Sequence, residues 1–279
     1  MSESIKISVC IPAYNNESVI GTTIKAILEQ TYKNLELIVV DDASNDNTVE
    51  VIKEYVAKDE RVKLYQNDTN LGMTGNWNRC VELADSEYIK LICADDILFP
   101  NSLEVEIEEL RKNDKIVMTI NDSIMISESG KKLGVFKRYY KKGVFDGKEI
   151  ARNSLIASNF MGMPCAVFFR KSIFEKVGGF DPMFKYILDF DLWIRMAGEG
   201  EVSVLKPKLN YFMLRKDSNT GKVLSEYQDV YMSEHKALIN KYREKYNLNR
   251  IEVGISIFSR WIRNIGYGLW LKWVLRNEK

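Results

Sequence analysis

Two adjacent carboxylates, Asp95 and Asp96, close the segment YIKLICADD (residues 88–96), where an apolar run holding one charge, Lys90, stops abruptly. A run of that length, with aromatic and β-branched residues, reads as a buried strand. In an open α/β sheet the carboxyl ends of the strands frame the ligand crevice, so the pair would point its oxygens into a site. Adjacent acids there suit a hard divalent cation, which can in turn hold a diphosphate. The plainer alternative is that Asp95 caps the helix entered through Pro100 and Asp96 is solvated. A second acidic pair, Asp41-Asp42, follows the apolar run 35–40, and Pro12-Ala13-Tyr14-Asn15-Asn16 follows the run 5–11. The Tyr14 ring offers a platform for a nucleobase, and the second pair can accept a hydrogen bond from a base N–H or a ribose hydroxyl. Ordinary packing of Tyr14, and helix capping by Ser44, Asn45 or Asp46, would use the same residues. The segment from Asn70 to Arg79 carries Gly72, Gly75 and Asn76; it can bring backbone N–H groups and Arg79 near phosphate, although a tight turn needs the same glycines. Asp189 and Asp191 in LDFDLWIR read, by themselves, as an acid-rich helix N-terminus.

The elements that must position these groups alternate. Strands are expected over 5–11, 35–40, 61–66 and 88–93, with helices over 17–30, 48–57 and 75–84 between them. Such alternation, at the length of a crossover unit, predicts a parallel sheet wound with helices. No G-x-G-x-x-G follows the first strand and no G-x-x-x-x-G-K occurs, which counts against a dinucleotide dehydrogenase and a P-loop enzyme. The chain has 279 residues, 46% hydrophobic and 28% charged, with a formal net charge of +1, so anion binding must be local rather than a property of the whole surface. Cys10, Cys80, Cys93 and Cys165 lie in or beside apolar runs without close pairing and with a lone His235, which predicts buried thiols in a reducing compartment rather than a zinc site. No basic leader precedes an apolar stretch and no run reaches the ~18 apolar residues of a bilayer span, so a cytoplasmic protein is expected.

In order along the chain stand PAYNN, VVDDAS, NLGMTGNWN, ADD, VGGFDPMF and LDFDLWIR. Together they closely resemble glycosyltransferase family 2, whose members are inverting, metal-dependent enzymes of the GT-A fold that use nucleotide-sugar donors. The resemblance covers residues 5–220. It implies hexosyl transfer from a nucleotide-diphosphate sugar, most readily a UDP-sugar, to a saccharide or lipid-linked saccharide hydroxyl in surface polysaccharide or glycolipid synthesis, with Mn²⁺ or Mg²⁺ as cofactor. Carried across, Pro12, Ala13, Tyr14, Asn15, Asp41, Asp42, Gly72, Asn76 and Asp95 match the nucleotide-binding positions. Asp95 and Asp96 match the metal motif, with Asp96 the direct ligand, and Asp189 matches the catalytic base. Arg79, Asp191, Arg215 and Lys216 are further candidates for diphosphate or acceptor contacts. Cys93 stands where many members carry the first acid of a longer D-x-D-D pattern. Arg215 stands near a common His position, where it or Lys216 could neutralise diphosphate charge. An inverting transfer needs one carboxylate to deprotonate the acceptor while the leaving diphosphate is stabilised on the opposite face. A nucleotidyltransferase would carry a Gly-rich basic loop in place of PAYNN, and an inactive sugar-nucleotide-binding module would be expected to have lost the acids.

Beyond Asp96 an acidic amphipathic helix is expected over 103–110 and strands over 116–126 and 134–136. Lys131, Lys132, Lys137, Arg138, Lys141 and Lys142 form a basic stretch that suits a solvated hairpin edge, acceptor phosphate or an anionic membrane. Gly178-Gly179-Phe180-Asp181 reads as a turn toward the acceptor side. The catalytic domain is expected over 1–222 and a helical C-terminal extension over 223–279, with helices at 223–246 and 251–274. In the second, Phe258, Trp261, Ile262, Ile265, Leu269 and Trp273 share one face, with Arg260, Arg263 and Asn264 opposite. That face suits peripheral membrane contact through 255–279, at the inner face of the cell membrane. Packing on the core or in a homodimer is the competing use. No nucleic-acid partner is expected.

Overall fold

The computed structural model describes residues 5–137, 139, 141–215 and 218–276. Its first half alternates as expected: β1 (Ile7–Ala13), α1 (Ile20–Leu28), β2 (Leu35–Asp41), α2 (Thr48–Val56), β3 (Val62–Gln66), α3 (Gly72–Glu82) and β4 (Tyr88–Leu91). The short β5 (Ile97–Leu98) leads into α4 (Ser102–Leu110), β6 (Ile116–Ser127), β7 (Lys132–Phe136), β8 (Gly143–Asp146) and α5 (Gly147–Ile156). A 3₁₀ turn at Pro164–Ala166 precedes β9 (Val167–Arg170), α6 (Lys171–Lys176), α7 (Leu188–Ala197) and β10 (Glu201–Leu214). Three helices, α8 (Asn219–Ser225), α9 (Gln228–Tyr242) and α10 (Arg250–Arg276), close the chain.

Pairing runs β3-β2-β1-β4-β9-β6-β10-β5. The β3-β2-β1-β4 portion is parallel, and every residue of β1 and β2 is buried, as strands covered on both faces must be. Alternate side chains divide between two cores. Val9, Ile11, Leu37 and Val39 pack with Ile20, Ile24, Ile27 and Leu103 under α1 and α4, whereas Cys10, Ile38 and Val40 pack with Trp77, Leu192 and Trp193 under α3 and α7. Past β4 the sheet becomes mixed: β9 runs antiparallel to both β4 and β6, and β10 returns parallel to β6. Pro207 lies within β10 and has no N–H for the ladder, and the register shifts between Val204, Lys208 and Asn210. The strand therefore pairs with β8 before this break and with β5 after it, which carries its end to the strand ends of the parallel half.

Lys90, the lone charge in β4, is fully buried against Glu106 of α4 at 2.6 Å, and Asn121 of β6 donates to the same carboxylate at 3.1 Å. The Gly178-Gly179 turn has positive φ at both positions, 84° and 67°. Asn78 of α3 receives the turn: its Nδ2 donates to the Phe180 carbonyl at 3.1 Å and its Oδ1 accepts from the Phe180 N–H at 2.8 Å. A Cβ at Gly179 would lie 2.6 Å from that Oδ1, so the contact itself requires glycine.

The single helix expected over 223–246 is two helices, α8 and α9. The chain turns at Glu226 and Tyr227, and the Tyr227 ring stacks on Tyr186 at 5.5 Å, so a tertiary contact overrides helical continuity. Among the described residues no helix is long and apolar enough to cross a membrane.

Candidate active site

The loops after β1 and β2 are knitted together by their own polar side chains. Asn15 donates its N–H to Ser44 Oγ at 2.9 Å while its Oδ1 accepts from the Asn45 N–H at 2.9 Å, and Asn16 N–H reaches Thr48 Oγ1 at 2.7 Å. Asn15 and Ala43 take positive φ of 51° and 59°, a conformation that costs free energy for residues with a Cβ and is held here by these bonds. Asp41 accepts from both the N–H and hydroxyl of Ser44 at 3.0 and 2.5 Å, so it shapes its loop. Asp42, equally buried, uses Oδ1 to hold Asn67 Nδ2 at 2.7 Å and the Leu71 N–H at 2.8 Å, which fixes the start of α3. Asn76 donates to the Ala13 and Val40 carbonyls at 3.4 and 3.1 Å, tying the ends of β1 and β2 to that helix.

These loops wall a cleft of about 610 Å³ at the carboxyl ends of the parallel strands. Pro12, Ala13, Tyr14, Asn15, Asp42, Gly72, Asn76 and Asp95 line it, together with Asn16, Asn70 and Trp77. Tyr14 is 45% exposed, so its ring is available as a platform. Cys93 and Ala94 after β4 also line it, as do Met213 and Arg215 at the end of β10, Lys185 and Lys222. Lys185 and Lys222 escaped the sequence reading because no motif or spacing ties them to the strand ends; the loop before α7 and the start of α8 bring them there.

Asp95 and Asp96 diverge in environment. Asp95 is half-buried and faces the cleft, whereas Asp96 has no exposed surface and its Oδ1 accepts from the Met213 N–H of β10 at 3.0 Å. Burial, with the Asp95 charge beside it, pushes the Asp96 carboxyl well above the usual carboxylate range despite Met213, Cys165 and Lys90. Burial and the charges of Asp96, Asp95 and Asp189 likewise push the Cys93 thiol well up. One ligand atom from each of Cys93, Asp95 and Asp96 lies within 4.8 Å of the others, and Asp96 Oδ2 is buried without a hydrogen-bond partner. Crowded negative charge and an orphaned buried oxygen are what a dication relieves, so these residues fit a divalent metal.

Asp189 opens α7, half-buried, with its Oδ1 accepting from the Phe190 N–H at 2.7 Å, and its charge is felt at Cys93 in the cleft. Asp191, a candidate for acceptor contacts, points elsewhere. It is fully buried, with Oδ2 on Arg195 Nε at 2.8 Å and Oδ1 on Lys241 Nζ at 3.0 Å and the Tyr242 hydroxyl at 2.7 Å. Two residues along a helix is a rotation of ~200°, so Asp189 and Asp191 cannot serve the same face. Arg79 does not line the cleft; it lies in the last turn of α3, ~10 Å along the axis from Gly72, because the helix runs away from the strand ends. Lys216 and Arg138 lie outside the described residues.

A family model described as glycosyl transferase family 2 matches residues 8–178, more than half of the chain. The chain belongs to glycosyltransferase family 2. The likeness extends to the UDP-Glc:alpha-D-GlcNAc-diphosphoundecaprenol beta-1,3-glucosyltransferase WfgD of Escherichia coli, 29% identical over 238 residues, 85% of this chain and 81% of the relative. Among solved structures, Staphylococcus aureus TarS 1–349 in complex with UDP-GlcNAc superposes with a TM-score of 0.66 at 19% identity, over 84% of this chain and 66% of that one. The mannosyltransferase PcManGT of Pyrobaculum calidifontis, in complex with GDP-Man and Mn²⁺, gives 0.61 at 15% identity over 99% and 75% of the two chains. The architecture is thus the GT-A fold and the chain is a glycosyltransferase, and its cleft lies at the carboxyl edge of β1, β2 and β4.

Proposed function

We propose that this glycosyltransferase moves a sugar, with inversion, from a UDP-sugar to a hydroxyl of a lipid-linked saccharide in surface polysaccharide or glycolipid synthesis, working as a peripheral protein at the inner face of the cell membrane. The observation that carries the reading is convergence: Tyr14, Asp42 and Asp95, from three separate strand ends, line one cleft, and Cys93, which also lines it, lies within reach of the Asp189 charge. The Tyr14 ring stacks on the base and Asp42 accepts from a base or ribose group. Asp95, with Asp96 and Cys93 beneath it, would hold Mn²⁺ or Mg²⁺, which when bound supplies Lewis-acid stabilisation of the diphosphate. Asp189 takes the proton of the acceptor hydroxyl; the hydroxyl oxygen bonds to the anomeric carbon as the bond from that carbon to the diphosphate oxygen breaks, and UDP departs. Lys185, Arg215 and Lys222 in the cleft lining offset the charge of the departing diphosphate and of a diphosphate-linked acceptor. The UDP-Glc donor and diphosphoundecaprenol-linked acceptor of WfgD, and the UDP-GlcNAc held by TarS, favour a uridine donor and a lipid-diphosphate acceptor.

Calorimetry of the full chain against UDP and GDP, with Mn²⁺, with Mg²⁺ and with chelator, tests the donor half. UDP should bind more tightly than GDP, and its affinity should fall at least ~10-fold in chelator and in Asp95→Ala. Equal affinity with and without metal would remove the cation from the site, and tighter GDP binding would replace the donor.

A further inference from the structure

α10 packs on the core through Val253 and Ile257, yet much of its inward side is polar and much of its apolar surface faces outward. Its polar stripe faces inward: Ser256 and Arg260 are 0% and 5% exposed. The Ser256 hydroxyl donates to the Leu155 carbonyl, Arg260 donates to the Leu155 and Ser154 carbonyls at 2.8 and 2.7 Å, and Arg263 reaches the Ala157 carbonyl. Those carbonyls end α5, where a helix leaves its last C=O groups unsatisfied and its dipole favours cations. The Arg152–Glu252 pair adds a fastening near the start of α10. With the polar side committed to α5, the apolar side looks outward. Phe258, Trp261 and Leu269 are 61%, 52% and 64% exposed on one stripe with Ile262 and Ile265, and Phe258 and Trp261 stack on each other at 6.2 Å.

Beside this stripe lies the β6–β7 hairpin, whose Leu133, Gly134 and Val135 form, with Ile262 and Gly266, a shallow apolar groove of about 510 Å³. Exposed Lys131, Lys132 and Lys137 flank it on the hairpin, with Glu128 the acid in the same turn. The α10 sequence itself carries five basic residues against the single Glu252. We propose that the outward face of α10 and the neighbouring hairpin form one docking surface for an anionic lipid bilayer. Aromatic and aliphatic side chains enter the headgroup boundary, and the hairpin lysines meet lipid phosphates. A second copy is the poorer occupant, because a single helix stripe from 251 to 269, ~27 Å long and ~10 Å wide, offers about 300 Å² against the ~800 Å² per partner of a stable interface. The surface is independent of the cleft, so its failure and that of the donor reading are distinguishable.

The test is co-sedimentation of the full chain with vesicles of phosphatidylglycerol and phosphatidylethanolamine, and of phosphatidylcholine alone, at low salt. Two variants accompany it, Phe258→Glu/Trp261→Glu and Lys132→Glu/Lys137→Glu. Because these side chains are exposed, both should fold and bind UDP as the wild type does, which calorimetry checks. The wild type should partition onto anionic vesicles; the first variant should lose that partitioning at least ~10-fold, and the second should lose the preference for anionic over neutral lipid. No sedimentation of the wild type, or unchanged sedimentation of the Phe258/Trp261 variant, would overturn the proposal. A lipid-free dimer in velocity sedimentation that the first variant disperses, without vesicle binding by the wild type, would assign the face to a second copy.

Discussion

At the scale of single residues, adjacent carboxylates of one type do different work. Asp95 presents its oxygens to the cleft, while Asp96 uses one oxygen to tie the loop after β4 to Met213 at the end of β10. The family resemblance implies Asp96 as the direct metal ligand, but the tie of one Asp96 oxygen to Met213 is not legible in the motif, because it depends on a backbone N–H more than a hundred residues away. Asp41 and Asp42 divide similarly, the first closing a turn on Ser44 and the second holding Asn67 and Leu71. The environment of His235 was invisible in the sequence. It is buried between the rings of Phe190 and Tyr231, with both nitrogens unpartnered. Burial, reinforced by the charges of Arg260 and Arg263, holds its pKa well below 6.5. The folded state therefore declines a proton that the unfolded state accepts below ~6.5, and this group's contribution to stability falls as pH falls through that value, by at most about 1.4 kcal/mol between pH 7.5 and 5.5. His235→Leu, of similar volume and without the proton, should narrow the gap between urea midpoints at those two pH values. An unchanged gap would place the acid sensitivity elsewhere.

At the scale of elements, the parallel strands were legible because strands buried on both faces are continuous apolar runs. β8, β9 and β10 were not, being short, or long and broken by Lys206-Pro207-Lys208, with pairing set by distant partners. The C-terminal helices follow the same logic. The sequence of α9 is largely polar, yet Leu238, Ile239 and Tyr242 are in the core, and two of its charges hold the segment that delivers Asp189. Glu234 accepts from the Lys185 and Tyr186 N–H groups at 2.8 and 2.9 Å, and Lys241 bridges Asp181 and Asp191 at 2.8 and 3.0 Å. α9 thus braces the helix that carries the proposed base. Removing one member of a buried charge cluster leaves the others uncompensated, at a cost of about 3–5 kcal/mol. Asp191→Ala should therefore lower the urea midpoint severely, and Asp191→Asn, which keeps the shape and one acceptor, should do so less. A midpoint unmoved in both would mean that α9 does not hold α7 through this contact. α10 shows how far an amphipathic wheel can be read: Phe258, Trp261, Ile262, Ile265 and Leu269 are exposed and Arg260 and Asn264 buried, but only the position of the α5 C-terminus decides which face is buried.

For the molecule as a whole, the near-neutral net charge is distributed in functional places. Asp42 and Asp95 line the cleft together with Lys185, Arg215 and Lys222, and a further basic patch lies on the β6–β7 hairpin beside α10. A soluble donor would enter the cleft between the strand ends and the Lys185–Arg215–Lys222 side, while an acceptor carried on lipid would come from the surface on which α10 rests. The central claim joins these parts through one proton transfer at Asp189, and one measurement reaches it directly. The full chain, with Mn²⁺, a panel of UDP-sugars and a lipid-diphosphate saccharide, is followed by proton NMR of the new anomeric centre, in parallel with Asp189→Asn. The account predicts a linkage of configuration opposite to the donor, with turnover falling about 10²–10⁴-fold in the variant while its UDP affinity is unchanged. A product that retains the donor configuration, or an Asp189→Asn variant that turns over as the wild type does, would contradict it.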